Sequence, residues 1–353
     1  MLTVNAYAAT SATEPLVPTT IERRAVGAHD VLIDIKFAGI CHSDIHTVRG
    51  DWGPQSYPLA PGHEIAGIVT EVGSAVTKHA VGDRVGVGCM VNSCRECVNC
   101  QAGEEQYCLK GNTGTYGAVD RDGTVTQGGY STHVVVTEDF VVTIPEGIEL
   151  DVAAPLLCAG ITTYSPLRHF DVEEGDVVGV VGLGGLGHMA VKLAKAMGAE
   201  VKVFTTSESK VAAARDLGAD EVILSRDEAA MDAANRSIDV IIDTVAAPHD
   251  LNPYFRTLRV DGALFQLGLP SEDMPPVNPG ALIRRRIAYA GSLIGGIAET
   301  QEMLDFCAGH GVTSDVEVVR ADQLNEAYDR MVAGDVKYRF VLDTSTLGTP
   351  AER

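Results

Sequence analysis

Residues 176–188 read DVVGVVGLGGLGH, and this stretch decides the fold of the second half of the chain. It begins as a short apolar strand, and Gly182, Gly184 and Gly187 follow in a G-x-G-x-x-G pattern. Residues 188–197 then carry apolar side chains at helical spacing. Glycines placed between a strand and a helix let the backbone approach a pyrophosphate at the positive end of the helix. The motif therefore predicts a dinucleotide site, the alternative being a tight strand-to-helix turn without a ligand.

Strands and helices continue to alternate beyond this motif. A helix is predicted at residues 209–217, and apolar strands are predicted at residues 201–204, 221–224, 238–243 and 262–267. Alternation of this kind indicates a parallel sheet that is covered by helices on both faces. We therefore predict a doubly wound Rossmann domain for binding a cofactor at residues 156–292.

The first part of the chain has a different pattern of predicted secondary structure. Short β-branched runs at residues 31–35, 65–69 and 134–136 are separated by glycine and proline, which is typical of a mostly-β domain with long loops. We assign this domain to residues 1–155. Residues 293–353 contain a helix, a strand and a last helix, and we expect them to return and complete the first domain. The predicted fold class is α/β.

The length, charge and composition of the chain exclude several classes of partner. The chain has 353 residues and a formal net charge of −21. Nucleic acid and anionic membranes are therefore disfavoured as partners, because long-range repulsion opposes both. No apolar run reaches the roughly 18 residues of a membrane span, and the amino terminus shows no export signal. We therefore expect a cytoplasmic protein. Structural disulfides are uncommon in the cytoplasm, so the eight cysteines need an explanation other than disulfide pairing.

Four of the cysteines form a ladder with the spacing C-x2-C-x2-C-x7-C, at Cys94, Cys97, Cys100 and Cys108. Four thiolates from one loop can surround a tetrahedral zinc ion and leave no position open, which indicates a structural role. The alternatives are an iron–sulfur cluster, four unrelated buried cysteines, or two disulfides. The long last interval and the absence of a following Cys-Pro weaken the ferredoxin-like alternative.

Other residues of metal-binding type are dispersed. Cys41 begins the stretch CHSDIH, His63 and Glu64 lie in PGHE, and Cys158 lies in LLCAG. Each is weak on its own, because a lone cysteine in an apolar run is more often a small buried side chain. Spacing alone does not assemble them into one site.

Together these motifs resemble the zinc-dependent medium-chain alcohol dehydrogenases. The resemblance covers nearly the whole chain, and its segments occur in the family's order: residues 39–44, 61–64, the cysteine ladder, 157–162 and the glycine turn. His42 beside Cys41, the turn at residues 183–188 and the tail at 335–340 resemble the cinnamyl alcohol dehydrogenase branch, and within it the bacterial NADP-dependent alcohol dehydrogenases and broad-range aldehyde reductases. The resemblance implies a GroES-like catalytic domain beside the Rossmann domain.

The resemblance also assigns metal ligands. It implies a catalytic zinc ion held by Cys41, His63 and Cys158, with the fourth position left for substrate. Glu64 is similar to a carboxylate that approaches the metal when that position is vacant. Asp44 is expected to accept the second ring N–H of His63 and so fix its tautomer.

The same resemblance implies a proton relay and a substrate channel. Ser43 and His46 match the relay, which runs from the reacting oxygen through the cofactor ribose to His46 near solvent. Trp52, Cys89 and Tyr116 are expected to line the pocket. The expected substrate is a small aldehyde or alcohol.

The choice of cofactor depends on the end of the second strand of the Rossmann domain. A site for NAD would place an acidic residue there to bind the ribose 2′-hydroxyl, and the chain has Thr205 instead. Thr206, Ser207 and Lys210 suit a 2′-phosphate, so we predict NADP(H). The resemblance adds further cofactor-binding residues, namely His42, Thr162, Gly182, Leu183, Gly184, Gly185, Leu186, Gly187, Val245, Gly268, Ser292, Ile294 and Arg339.

The predicted activity is therefore the zinc-dependent interconversion of primary alcohols and aldehydes with NADP(H). The resemblance further implies a homodimer joined through the Rossmann domain. Two alternatives stay open. One is an NAD-linked dehydrogenase of polyols or secondary alcohols, and the other is a non-catalytic zinc protein of the same fold that binds the cofactor. Fold alone does not separate an enzyme from a binding protein.

Overall fold

The computed structural model describes residues 1–348 of the chain. Its strands are β1 Leu2–Ala8, β2 Val17–Arg23, β3 Asp30–Ile40, β4 Ile65–Val72, β5 Arg84–Val87, β6 Met90–Asn92, β7 Thr113–Gly114, β8 His133–Thr137, β9 Val142–Thr143, β10 Val177–Val181, β11 Glu200–Thr205, β12 Glu221–Leu224, β13 Ile238–Asp243, β14 Leu258–Gln266, β15 Ala288–Gly291, β16 Val316–Val319 and β17 Arg339–Asp343.

The α-helices are α1 His42–Arg49, α2 Val98–Gln101, α3 Leu150–Ala153, α4 Ala159–His169, α5 Gly187–Ala196, α6 Val211–Asp216, α7 Glu228–Ala233, α8 Asn252–Thr257, α9 Pro279–Ile283, α10 Ile297–His310 and α11 Leu324–Val332. Short 3₁₀ turns supplement them. Among the described residues, no helix combines the length and apolar composition that a membrane crossing requires.

The chain divides into two compact units. The first comprises Met1–Cys158 and the chain from Gly295 onward, and the second is Ala159–Ile294. Both boundaries lie a few residues beyond those predicted from the sequence. At the first boundary the reason is that the turn Ala154–Leu157 is buried and packs on β3, so that Cys158 stays with the first unit.

The first unit is built on a seven-stranded sheet with the order β16-β17-β3-β4-β5-β9, in which β8 also pairs with β3. All neighbours are antiparallel except β16 and β17. The long strand β3 is central because it pairs with β4, β8 and β17, and most of its side chains are buried. The sheet places the end of β3 beside the start of β4, with Ala38 opposite Ile65.

The second unit is a six-stranded sheet with the order β12-β11-β10-β13-β14-β15, in which every pair is parallel. Strand β10 consists of five buried residues, as expected for a strand with helices on both faces. The order of the strands reverses between β10 and β13, and ligands bind at the carboxyl ends of strands at such a point. The α/β class with a doubly wound domain, predicted from the sequence, is confirmed.

Candidate functional site

Four cysteines converge in the loop between β6 and β7. The Sγ atom of Cys100 lies 3.8 Å from that of Cys94 and 3.5 Å from that of Cys97. With Cys108 included, all four sulfurs lie within 4.8 Å of one another. A tetrahedron with metal–sulfur bonds of about 2.3 Å has edges of about 3.8 Å, so the loop fits a zinc ion as it stands.

Backbone N–H groups point at these sulfurs. The N–H of Cys97 donates to Sγ of Cys94 at 3.3 Å, and the N–H of Leu109 donates to Sγ of Cys97 at 3.5 Å. Such donors stabilise the thiolate form that zinc requires. The two-disulfide alternative does not hold in this structure, because all eight cysteines are free thiols and the sulfur separations far exceed the roughly 2.0 Å of a disulfide bond.

A second group of ligand-type side chains is buried in the same unit. It consists of Cys41, His63, Glu64 and Cys158, whose candidate ligand atoms all lie within 4.8 Å of one another. Cys41 follows β3, and His63 and Glu64 immediately precede β4, so the pairing of these strands brings the three residues together. Two thiols and an imidazole suit zinc and leave a fourth position for a substrate.

Asp44, in the first turn of α1, is completely buried and organises these donors. Its Oδ1 lies 2.9 Å from Nδ1 of His63 and accepts the N–H of Gly62 at 3.1 Å. Its Oδ2 accepts the N–H of Cys41 at 2.9 Å and the hydroxyl of Tyr130 at 3.3 Å. Because a carboxylate only accepts hydrogen bonds, Nδ1 of His63 carries a hydrogen, and in the neutral imidazole Nε2 has the lone pair that a metal needs.

The charges in this group change the protonation of its members. Burial disfavours the charged form of His63, but the carboxylate of Asp44 and the thiols of Cys89 and Cys41 together outweigh it and raise the pKa of His63 well above its usual value. A metal ion that binds Nε2 would therefore have to displace a proton. A hydrogen bond with Cys158 holds the pKa of Cys41 well below its usual value, and the same contact raises the pKa of Cys158. One thiol of the pair therefore loses its proton easily, as a metal ligand must.

Glu64 is completely buried and forms an ion pair with Arg339 at the start of β17. Desolvation raises the pKa of Glu64 to about 7 against the opposing effect of Arg339. Its Oε2 atom has no hydrogen-bond partner among the described residues, and Gly39 leaves room for it, since a Cβ there would lie 1.9 Å from Oε2. An unpartnered buried carboxylate oxygen within a donor group fits a role facing the metal.

Arg339 is one of the cofactor-binding residues that the resemblance implies. In the structure its side chain is only 4% exposed and binds Glu64. Arg339 therefore lies beside the metal-ligand group, and its contact with the cofactor stays a prediction.

The two relay candidates lie on α1. The Oγ atom of Ser43 is 3.6 Å from Sγ of Cys41. Nδ1 of His46 lies 2.8 Å from Oδ2 of Asp51, and the ring of His46 is 5.1 Å from that of Trp52. The side chain of His46 is 26% exposed, so it can exchange a proton with water. Asp51 was not identified from the sequence; the available signal is a carboxylate just past the end of the helix.

The three predicted pocket residues all lie in the first unit. Trp52 is 39% exposed, an unusual value for so large an apolar ring. The ring of Tyr116 lies 5.8 Å from that of His63. Cys89 lies with its sulfur 3.9 Å from the carbonyl oxygen of Leu157. Tyr116 and Cys89 therefore flank the metal-ligand group, whereas Trp52 contacts His46.

In the second unit the glycine turn joins β10 to α5. Gly182 has a φ of +88°, and a Cβ at Gly187 would lie 2.1 Å from the carbonyl oxygen of Gly182. Only glycine fits both positions. The hydroxyl of Thr244, just after β13, donates to the carbonyl of Val181 at 2.8 Å. This hydrogen bond holds the start of the glycine turn. The remaining turn residues differ in exposure: Leu183 is buried, Gly184 is exposed, and Gly185 and Leu186 are partly buried.

The loop after β11 carries the residues predicted to select the cofactor. Thr205 is buried at the end of the strand, and its Oγ1 accepts the N–H of Ser207 at 3.2 Å. Thr206 is exposed. Nζ of Lys210 donates to the carbonyl of Leu183 at 3.1 Å, which holds the ammonium group against the glycine turn. The loop therefore presents hydroxyls and one cation where an NAD site would have a carboxylate.

The other predicted cofactor residues occur at several places. Val245 follows β13, and a Cβ at Gly268 would lie 2.3 Å from its carbonyl, so the two backbones touch. The rest lie apart in the chain: Thr162 within α4, Ser292 and Ile294 just after β15, and His42 at the start of α1.

Asp243, the last residue of β13, and His249, in the loop that follows, are not predicted from the sequence. Asp243 is completely buried, and its Oδ2 lies 3.2 Å from Nε2 of His249. The contact with Asp243 raises the pKa of His249. Oδ1 of Asp243 accepts the N–H of Val245 at 3.1 Å, so the pair orders the loop beside the glycine turn. A single aspartate at a strand end is too common to signal this role.

Two family models match the chain. Residues 27–146 match the alcohol dehydrogenase GroES-like domain, and residues 185–309 match the zinc-binding dehydrogenase model.

Full-length relatives and solved structures agree with these matches. The chain is 60% identical to NADP-dependent alcohol dehydrogenase C 1 of Mycolicibacterium smegmatis, over 98% of this chain and 99% of that protein. It is 54% identical to aldehyde reductase YahK of Escherichia coli, with the same coverage. A cinnamyl alcohol dehydrogenase of Sorghum bicolor superposes with a TM-score of 0.95 at 45% identity, over 100% of both chains. The cinnamyl alcohol dehydrogenase of Helicobacter pylori, solved with NADP(H), gives 0.89 at 42% identity, over 98% of this chain and 99% of that chain.

We predict that each of the two ligand groups holds its own zinc ion. Cys97→Ser should remove one zinc per chain, because three thiolates remain in the loop, and should leave the other ion bound. Cys41→Ser should remove the ion of the buried group only. Elemental analysis of the purified protein measures both.

Cys307→Ser is the matched control, because Cys307 is buried against the sulfur of Met303 and belongs to neither group. It should keep the zinc content of the unmodified chain. An unchanged zinc content in Cys97→Ser would show that the loop is not a metal site.

Proposed function

The chain belongs to the zinc-binding dehydrogenases with an alcohol dehydrogenase GroES-like domain, and we propose that it interconverts primary alcohols and aldehydes by hydride transfer with NADP(H). Zinc and NADP(H) are its cofactors. We further propose that it mainly reduces aldehydes and accepts a broad range of aliphatic and aromatic ones.

The observation that carries this proposal is the buried group of Cys41, His63 and Cys158. These three donors would hold the zinc ion, and zinc bound there supplies Lewis-acid polarisation of the substrate oxygen. The chain's own part is to fix the donors: Asp44 sets the tautomer of His63 and the backbone of Cys41. Burial excludes water and strengthens the electrostatic effect on the reacting oxygen.

The proton that leaves an alcohol, or reaches the oxygen of an aldehyde, needs a route between the buried site and solvent. Ser43 lies beside Cys41, where its hydroxyl is suited to exchange a proton with the substrate oxygen. His46 would exchange that proton with water, and the contact with Asp51 orients its ring. We propose Ser43 and His46 as relay residues and Asp51 as a positioning residue.

The NADP preference is supported by the loop after β11. A carboxylate at the end of this strand would repel a 2′-phosphate, and Thr205 carries none. Lys210 supplies a cation that is already held at the glycine turn. An NAD-linked dehydrogenase is less well supported, because it would lack its usual ligand for the ribose hydroxyl.

We also propose a cytoplasmic location and a homodimer. Eight free thiols suit a reducing compartment. Strand β15 ends the parallel sheet, all four of its residues are exposed, and Leu293 and Ile283 nearby are also exposed. An open edge of this kind can pair with the same edge of a second copy. Analytical ultracentrifugation tests the dimer, and a monomer at micromolar concentration would contradict it.

Absorbance of the reduced nicotinamide tests the activity directly. We expect the zinc-loaded protein to consume NADPH with a panel of aldehydes, and to use NADPH better than NADH. Lys210→Met should raise KM for NADPH about tenfold, because a charge-assisted hydrogen bond is worth roughly 1.5–3 kcal/mol, and should leave KM for NADH nearly unchanged.

Lys195→Met is the control for that variant, because Lys195 pairs with Asp220 and not with the glycine turn. Equal use of both cofactors by the unmodified chain would contradict the NADP preference. No consumption of either cofactor with any aldehyde or alcohol would favour a non-catalytic zinc protein.

The relay predicts a characteristic pH dependence. His46→Ala should slow turnover strongly near neutral pH and much less at high pH, where hydroxide accepts the proton without the imidazole. Asp51→Ala should cause a smaller change of the same kind. Pre-steady-state and steady-state rates across pH measure both effects.

His29→Ala serves as the control, since the side chain of His29 is 68% exposed and lies outside the site. A pH–rate profile of His46→Ala that runs parallel to the unmodified profile would remove His46 from the relay.

A further inference from the structure

Arg23, at the end of β2, is buried in the first unit and its guanidinium has an unusual set of partners. Nε donates to the carbonyl of His133 at 2.9 Å, and Nη1 donates to that of Gln127 at 2.5 Å. Nη2 donates to the carbonyl of Gly128 at 2.8 Å and to Oγ of Ser131 at 2.7 Å. All four acceptors belong to one segment, residues 127–133.

No carboxylate pairs with this guanidinium in the part of the chain that the structure describes. Burial and the neighbouring Arg24 accordingly lower the pKa of Arg23 to about 9. A buried cation without a counter-ion is costly unless its hydrogen bonds are complete. Arg23 therefore has a specific task in ordering its acceptors, and does not act as one half of an ion pair.

The segment needs such ordering because Gly128, Gly129, Tyr130 and Ser131 are all buried, although they form no regular strand. Buried backbone carbonyls outside a sheet require other donors. The planar fork of an arginine reaches several of them in fixed directions, which a lysine ammonium does not.

The other side of the same segment holds the backbone that leads to His63. The N–H groups of Gly128, Gly129 and Tyr130 donate to the carbonyls of residues 60, 62 and 61, at 2.7, 2.8 and 2.9 Å respectively. A Cβ at Gly128 would lie 2.3 Å from the carbonyl oxygen of Pro61, so the two segments are in direct contact.

The segment also reaches His63 through a second route. The hydroxyl of Tyr130 donates to Asp44, whose other oxygen binds Nδ1 of His63 and the N–H of Gly62. Residues 127–131 thus control both the backbone before His63 and the carboxylate that orients its ring. Closely packed interiors transmit displacements of this kind because they contain few voids.

We propose that Arg23 is a positioning residue for the metal ligand His63, acting through residues 127–131. This inference rests on the proposed role of His63 as a zinc ligand. Arg23 touches neither the ligand group nor a substrate. Its loss is expected to loosen the imidazole of His63 and to weaken the hold of that group on its metal, while the cysteine loop keeps its own ion.

The test compares zinc release from the holoenzyme variants Arg23→Lys, Arg23→Met and Arg24→Met in excess chelator, followed with a colorimetric zinc indicator. Arg23→Lys and Arg23→Met should release one zinc per chain several-fold faster, which is less than the roughly 10–100-fold effect of removing a direct partner of a metal ligand, because Arg23 acts through an intervening segment. The second zinc should leave at the unmodified rate. In cobalt-substituted protein, the visible bands of the ion at the Cys41 group should shift or broaden in the Arg23 variants only.

Arg24→Met is the matched control, because Arg24 neighbours Arg23 and its guanidinium binds Asp30, at 2.8 and 3.1 Å, and no other carboxylate among the described residues. It is expected to lower thermal stability without changing either metal site. Arg23 variants that lose stability yet release zinc at the rate of the unmodified chain, with unchanged cobalt bands, would overturn the proposal and leave Arg23 a structural residue.

Ser131→Ala provides an answer if both Arg23 variants fail to fold, because it removes one of the four acceptors and leaves Arg23 in place. Faster release of one zinc supports the proposal, and release at the unmodified rate overturns it. The proposed function is tested separately: a chain that binds both zinc ions but reduces no aldehyde contradicts that function, and the zinc-release comparison still stands, since it needs no turnover.

Discussion

The buried carboxylate of Asp44 is the constraint on which the metal-binding unit depends. It accepts hydrogen bonds from the backbone of Cys41 and Gly62, from the ring of His63 and from the hydroxyl of Tyr130. These donors come from three segments that are far apart in the chain. A buried charge is tolerated only where such donors replace water. The carboxylate therefore fixes all three segments at once, and a displacement of any one leaves the charge incompletely compensated.

The second buried carboxylate of the site, that of Glu64, has fewer hydrogen-bond partners than that of Asp44. This difference indicates different roles for the two carboxylates. Both oxygens of Asp44 have partners, so that group is fully committed to holding structure. Among the described residues, Glu64 has Arg339 on one oxygen and no partner on the other, and desolvation raises its pKa to about 7. A group that is only partly satisfied can change partners at low cost, which is what a carboxylate that approaches a metal intermittently must do.

How much the sequence could predict depended on whether a feature is local. The glycine turn and the cysteine ladder lie within single short stretches, so pattern and spacing were enough to place them. Cys41, His63 and Cys158 meet only because β3 pairs with β4 and a buried turn follows, and resemblance to a family, not spacing, identified them. The contact of Asp51 with His46 has only a weak sequence signature, a carboxylate just past the end of a helix, which many surface helices share.

The two metal-ligand groups differ in whether their ligands come from one loop or from distant segments, and this difference matches their roles. A site that closes around its ion needs only a flexible loop with enough thiols, and the ladder supplies them within one loop. A metal site with a free fourth coordination position needs donors that are held apart. Such donors have to come from separate rigid elements of the fold. Here the ends of β3 and β4 supply two of the donors. The returning strand β17, paired with β3 so that Phe340 lies opposite Ile40, places Arg339 beside them. The donors therefore all precede the second unit, and the chain that returns after it contributes the cation that holds Glu64 next to them.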